Sequence, residues 1–217
     1  MIKIAPSILS GDFAHMGKSV QDATLWGADI IHFDVMDGVF VPNLTFGMPM
    51  CKAIRPYTTL PIDAHLMITR PEKYVEQFCD CGADIVTFHP EASEDVRGAL
   101  DAIHAKGKLC GLVLNPDKDV SLIAPYMDVV DMVVLMGVFP GFGGQKFIPA
   151  VLDKIATVHD MIVRTGRTVM LELDGGVTED NAASMTERGV DVLVGGSSVF
   201  RSNDPAATIR RLRGDRA

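Results

Sequence analysis

Short apolar runs alternate with longer stretches in which apolar residues recur at three- and four-residue spacing. The runs fall at 2–9, 28–37 (ADIIHFDVMD), 61–68 (PIDAHLMI), 83–89 (ADIVTFH), 109–114 (LCGLVL), 129–138, 169–174 (VMLELD) and 190–195. Runs of this length bounded by turn residues predict buried strands, and the stretches between them predict amphipathic helices. The helices are expected from Ser10-Gly11-Asp12 through about Trp26, then over 48–55, 71–81, 93–106, 118–127, 149–165, 179–188 and 205–213. Local punctuation supports these bounds: Pro71 sits where a first turn tolerates a missing amide, Gly107 follows a helical pattern, and Asn115-Pro116 stops the fifth run. Strict alternation of strand and helix implies a parallel sheet with helical crossovers. Eight such units predict a closed (β/α)8 barrel, a TIM barrel, as a single domain over residues 1–217, near the lower size limit of that fold. An open doubly wound sheet is the alternative, but no Gly-x-Gly-x-x-Gly follows the first run. No linker, composition shift or low-complexity tract marks a boundary, and the β/α period is the only internal repeat visible.

In a parallel barrel the ligand site lies at the carboxyl ends of the strands. Ser7, His32, Asp34, Met36, His65, Met67, His89, Met136, Asp174, Gly196 and Ser197 all fall at or near those ends. Strand side chains alternate faces, so His32, Asp34 and Met36 share one face and Ile31, Phe33 and Val35 the other. The apolar face must meet the helices, which turns the histidine and carboxylate into the barrel. The same parity groups Asp63, His65 and Met67. A single His or Asp in a strand is commonly a satisfied structural group. Two of each converging on one mouth need a partner, because buried carboxylates are costly alone, and a divalent cation is the simplest common one. Two His and two Asp supply four N/O ligands suited to zinc, and also to manganese, iron or cobalt.

Composition removes several classes of function. With 20 basic and 28 acidic residues the formal charge is −8, which argues against nucleic acid as a partner. No window approaches the ~20 apolar residues of a membrane span, and the first residues lack the apolar region of a signal peptide. Cys51, Cys79, Cys81 and Cys110 have neither zinc-finger spacing nor the density of a disulfide scaffold. The expectation is a cytoplasmic protein with reduced thiols.

An acidic chain can still hold a small phosphorylated ligand on backbone amides. Gly141-Phe142-Gly143-Gly144 follows the sixth run, Gly175-Gly176 the seventh, and Gly195-Gly196-Ser197-Ser198 the eighth. Each loop alone is also explained by a tight turn; together they lie where these barrels commonly bind phosphate. No Lys or Arg sits inside them, so phosphate binding would rest on backbone dipoles. Asp34 and Asp174, from opposite sides of the mouth, suit removal of a carbon-bound proton from one face and its return on the other. A metal on the neighbouring oxygens would stabilise the resulting enediolate.

The strings PSILSGDF (6–13), HFDVMDGVFVPN (32–43), DAHLMI (63–68), PGFGGQKF (140–147), LDGGV (173–177) and GGSSVF (195–200) resemble ribulose-phosphate 3-epimerases, in order and over almost the whole chain. The resemblance implies a ribulose-phosphate-binding barrel that interconverts D-ribulose 5-phosphate and D-xylulose 5-phosphate, an isomerase of the pentose phosphate pathway. It implies His32, Asp34, His65 and Asp174 as ligands of one divalent metal ion, zinc first, with Asp34 and Asp174 exchanging acid and base roles. Ser7 and His65 would contact substrate, Gly141–Gly144, Gly175, Gly176, Gly196 and Ser197 its phosphate end, and Met36, Met67 and Met136 would cap the enediolate. For the methionines, core filling is an equal explanation from the residues alone. A homo-oligomer is implied as well.

The family often carries Ser or Thr at 137 and a polar residue at 139, where this chain has Gly137 and Phe139. That leaves open D-allulose-6-phosphate 3-epimerase, which acts on a six-carbon ketose phosphate. A Schiff-base aldolase would need an inward strand lysine, but Met136 occupies the sixth run. A decarboxylase of the related type would need a lysine between its aspartates, which Asp34-Val35-Met36-Asp37 lacks. A non-catalytic sugar-phosphate binder would have no use for opposed carboxylates. His89 faces inward without a motif-level role, and His15, His104, His159, Cys79 and Cys81 are expected to be structural or superficial.

Overall fold

Each apolar run of the sequence contains a strand. The computed structural model describes residues 1–215. Among them are eight strands, β1 (Lys3–Pro6), β2 (Ile31–Met36), β3 (Ile62–Met67), β4 (Ile85–Phe88), β5 (Leu109–Leu114), β6 (Met132–Met136), β7 (Met170–Asp174) and β8 (Val192–Gly195). The helices are α1 (Met16–Leu25), α2 (Met48–Ile54), α3 (Val75–Asp80), α4 (Val96–Ala105), α5 (Val151–Thr165), α6 (Glu179–Thr186), the short α7 (Ser197–Phe200) and α8 (Pro205–Arg213). The strands pair in parallel in the order β1-β8-β7-β6-β5-β4-β3-β2. The seam between β2 and β1 is drawn together by a parallel bridge between Ser7 and His32 and by the Asp29 amide donating to the Ile4 carbonyl at 2.9 Å. The architecture is a (β/α)8 barrel, and the open-sheet alternative is excluded.

The helix ends follow side-chain chemistry. Asp95 and Asp204 accept from amides three residues on, at α4 and α8, and Thr178 and Asn181 cap α6 reciprocally. One crossover departs from expectation. Residues 118–127 form two 3-10 turns, Val120–Leu122 and Ala124–Tyr126, instead of an α-helix. Pro125 has no amide to donate to the Ser121 carbonyl and its ring would crowd that carbonyl, while Asp119 accepts from Ser121 N and favours the tighter turn.

The main core lies between the sheet and the helices, where Phe33, Leu66, Phe88 and Leu171 meet Val20, Phe78, Leu100 and Ile155. Inside the barrel Ile85, Met132, Val134 and Val192 form an apolar filling. Toward the carboxyl ends the interior turns polar, with His32, Asp34, Asp63, His65, Thr87 and Glu172 all buried.

The amino-terminal ends contain a repeat of two β/α units that hydropathy alone did not reveal. Asp29, Asp84, Asp131 and Asp191 stand where the chain enters β2, β4, β6 and β8. Their carboxylates accept from the amides of Ile4 at 2.8 Å, Ile62 at 3.1 Å, Cys110 at 3.0 Å and Leu171 at 2.9 Å, on the preceding odd-numbered strands. Cations approach three of them, Arg213 on Asp29, Arg55 and Lys108 on Asp84, and Arg167 on Asp131, where the His104 ring also stands 2.7 Å away. Each clamp fixes the register of one strand pair through a charge-assisted bond to the backbone.

Candidate active site

Parity in β2, β3 and β7 sends His32, Asp34, Asp63, His65, Glu172 and Asp174 to one place. His32 Nε2 lies 3.2 Å from Asp34 Oδ1 and 3.8 Å from Asp174 Oδ2. His65 Nδ1 lies 3.4 Å and 3.5 Å from the same two oxygens. Both nitrogens are buried without a hydrogen-bond partner among the described residues. Two orphaned nitrogens facing two carboxylate oxygens, all within 4.8 Å of one another, fit a divalent cation by donor type and by count.

On its other side the His32 ring is held by Asp63 Oδ2, 2.9 Å from Nδ1, with Glu172 Oε1 at 3.3 Å. Burial alone would lower the His32 pKa, but Asp34 foremost, with Asp63 and Glu172, carries it well above the ordinary value. Burial likewise opposes the charge on Asp34, yet His32 and His65 hold its carboxyl far below the usual range. His65 is raised to about 9 despite burial, through its contacts with Asp174 and Asp34. Glu172 is pushed up to about 8 by burial and by the charge on Asp63. His89 is pushed well below the ordinary value by burial and by its neighbour His65. Ser7, at the end of β1, donates from Oγ to Asp34 Oδ2.

Above this cluster opens a cavity of about 530 Å³. Asp34 and Asp174 reach it, Met36, Met67 and Met136 form its apolar wall, and Ser7, Gly141–Gly144, Gly175, Gly176, Gly196 and Ser197 line it further. His32 and His65 stand behind the carboxylates. Gly176 has φ +71, and a Cβ there would meet the Phe147 backbone at 2.5 Å, so only glycine lets these loops close together. At position 137 any Cβ would run into the Gly175 carbonyl and the Phe147 ring; Phe139 is exposed. The loop over the cavity is tied down by Asn43 Nδ2 donating to Gly141 O at 2.8 Å and Gln145 Nε2 donating to the Phe139 and Phe142 carbonyls.

The sequence reading missed several neighbours. Glu172 shares the inward face of Asp174 by the same alternation that located Asp34, so the signal was present. Lys146 and Arg201 also line the cavity; Lys146 stands inside the string 140–147 but past its last glycine, and Arg201 directly follows the string 195–200, so the glycines alone did not point to either. His104, Cys110 and Asp131 form another grouping of potential ligands, but it belongs to an amino-terminal clamp. There His104 Nε2 is 2.7 Å from Asp131 Oδ2, and burial pushes the Cys110 thiol up to about 12. No helix among the described residues is long and apolar enough to cross a membrane.

Comparison with known proteins gives this geometry a lineage. The model of the ribulose-phosphate 3 epimerase family matches residues 3–200. The chain is 46% identical over 217 residues to the ribulose-phosphate 3-epimerase of Bacillus subtilis, covering 100% of both. It is 46% identical over 215 residues to that of Escherichia coli K12, covering 99% of this chain and 96% of that one. The crystal structure of 3-hexulose-6-phosphate synthase from Salmonella typhimurium superposes with a TM-score of 0.74 at 19% identity, over 99% of this chain and 98% of that one, which speaks for the barrel alone. With a match of this length and a full set of buried His and Asp side chains at the barrel mouth, the chain belongs to the ribulose-phosphate 3-epimerase family and is an isomerase.

Proposed function

We propose that the chain epimerises D-ribulose 5-phosphate and D-xylulose 5-phosphate at C3 by transferring protons to and from opposite faces of the substrate. The observation that carries this reading is the pair Asp34 and Asp174, which arrive from β2 and β7 and face the same two orphaned imidazole nitrogens at the floor of one cavity. His32, Asp34, His65 and Asp174 would hold a divalent cation, zinc first and manganese, iron or cobalt otherwise. When bound, the cation supplies Lewis-acid stabilisation of the charge that develops on the substrate oxygens once the C3 proton leaves. Asp34 takes that proton on one face and Asp174 returns one on the other, with roles reversed in the opposite direction. Ser7, donating to Asp34 Oδ2, orients the carboxylate and leaves Oδ1 toward the histidines. Met36, Met67 and Met136 cover the reacting carbons with polarizable, aprotic side chains that keep water from quenching the intermediate. The glycine loops and Ser197 present amides to the phosphate, and Lys146 and Arg201 add positive charge to that wall.

The test is NMR in D₂O with D-ribulose 5-phosphate, before and after chelation. Deuterium entering at C3 together with xylulose 5-phosphate, lost on chelation and restored by metal, is the expected result. Metal-restored protein that neither exchanges C3 nor forms the epimer overturns the reading. Faster turnover of D-allulose 6-phosphate by kcat/KM would reassign the substrate while keeping the chemistry.

A further inference from the structure

His89 follows β4, is completely buried, and lies behind His65. The two Nε2 atoms are 3.1 Å apart and the rings stack with centroids 5.2 Å apart. His89 Nδ1 has no hydrogen-bond partner among the described residues. It faces Glu91 Oε1 at 3.9 Å, and that oxygen is held by Asn115 Nδ2 at 2.8 Å. The Phe40 ring packs against the imidazole.

We propose that His89 is a positioning residue: by accepting a hydrogen bond from His65 Nε2–H, it fixes His65 in the tautomer whose bare Nδ1 can hold the divalent cation. The inference rests on the metal reading above. A cation displaces the proton that the two carboxylates otherwise favour on Nδ1; the neutral imidazole left behind carries one proton, so a lone pair on Nδ1 requires that proton on Nε2. That proton needs an acceptor, and His89 Nε2 occupies the acceptor position. His89 must then carry its own proton on Nδ1, the atom turned toward Glu91. The reverse arrangement would place the His65 proton on Nδ1, between Asp34 Oδ1 and Asp174 Oδ2, where it would block the cation.

The two histidines of the cluster are therefore oriented differently. His32 has a carboxylate partner, Asp63, on its far nitrogen, the commonest arrangement for a metal-binding histidine. His65 has a neutral one. The interior already holds Asp34, Asp63, Glu172 and Asp174, and a further carboxylate behind His65 would add like charge in a buried site. A histidine accepts the same hydrogen bond without that charge.

The experiment compares Co²⁺ binding, read from visible absorption, in chelator-treated wild type, His89→Leu and His89→Gln. His89→Leu keeps the bulk and removes the acceptor, and should weaken Co²⁺ binding about 10–100-fold, whereas His89→Gln, whose amide oxygen can accept, should stay within about threefold. Equal affinity in His89→Leu and wild type overturns the proposal and leaves the metal reading standing; a wild type that binds no Co²⁺ overturns both. Histidine ¹⁵N NMR of the zinc-loaded wild type tests the same point without a variant. Protons on His65 Nε2 and His89 Nδ1 are expected, and a proton on His89 Nε2 refutes the proposal.

Discussion

At the amino-terminal end of the barrel, Asp84 accepts from the Ile62 amide and meets Arg55 and Lys108. At the carboxyl-terminal end, Asp34 and Asp174 meet two imidazole nitrogens that find no hydrogen-bond partner among the described residues. The same side chain thus serves two purposes in one barrel. Below, its lone pairs are consumed by the backbone of the neighbouring strand, and the result is strand register. Above, its lone pairs converge with other unsatisfied donors, and the result is a place for something the chain does not itself provide. A carboxylate's role follows from what remains unsatisfied around it, since buried polar groups left without partners are rare where no ligand is expected.

The largest effect that would sharpen this contrast is on turnover. Asp34→Asn should lower kcat/KM by about 10³-fold or more, since it removes a proton acceptor in the reacting pair. Asp84→Asn should leave kcat/KM within about twofold at 25 °C, a surface-facing change remote from the chemistry. A coupled epimerase assay on both variants decides it, and comparable losses in the two would dissolve the distinction.

Metal binding comes next. Titration with Co²⁺ should fill one site per chain, without the near-ultraviolet band of a cobalt–thiolate bond. His104, Cys110 and Asp131 are close enough together to be ligands, but Asp131 is already bonded to the Cys110 amide and approached by Arg167. The thiol is also held in its protonated form by burial, whereas metal ligation requires the thiolate. Cys110→Ser should leave the cobalt spectrum unchanged. A thiolate band that disappears in that variant would show that distance alone makes a site here.

Stability should respond in the opposite sense to activity. Asp84→Ala leaves the Ile62 amide and two cations without their acceptor, a loss of about 2–3 kcal/mol. For a chain of this size that lowers the thermal midpoint by about 5–10 °C. Asp84→Asn keeps an oxygen for the amide and loses only half-exposed ion pairs, about 1 kcal/mol. Differential scanning calorimetry separates the two, and equal midpoints for Asp84→Ala and wild type would remove the clamp from the account of the fold.

The barrel was legible because its signal is long-range and redundant: eight apolar runs with helical patterns between them leave few topologies. The helix expected over 118–127 failed because Pro125 overrides the spacing of its neighbours. The four-residue cluster was legible because parity in a strand fixes the facing of His32 and Asp34 together. Parity also located Asp63, but the role of Asp63 beneath His32 depends on which ring nitrogen points where, and spacing does not encode that. Lys146 and Arg201 approach the cavity through loop paths, which carry no period. The aspartate clamps left a trace in the sequence, Gly-Ala-Asp-Ile at 27–30 and again at 82–85 with Gly-Val-Asp-Val at 189–192, but hydropathy does not register it, and the bonds across strands reveal what Asp29, Asp84, Asp131 and Asp191 do.

The smallest effect is on the acid side of the stability profile. Burial pushes the Asp84 carboxyl up, but Lys108, the Ile62 amide and Arg55 outweigh it and hold the pKa below the ordinary value. A carboxylate whose pKa is lowered by folding adds stability above its unfolded pKa of about 3.9 and loses it as pH falls through the folded value. Asparagine at that position does not titrate. The wild-type midpoint should therefore exceed that of Asp84→Asn by about 2–4 °C at pH 6, and the gap should close as the pH is lowered below about 4. The carboxylates at the mouth are common to both proteins, so their titration cancels in the difference and the remaining pH dependence belongs to Asp84. A gap that persists unchanged at pH 3 would mean that the charge of Asp84 is not what separates it from asparagine.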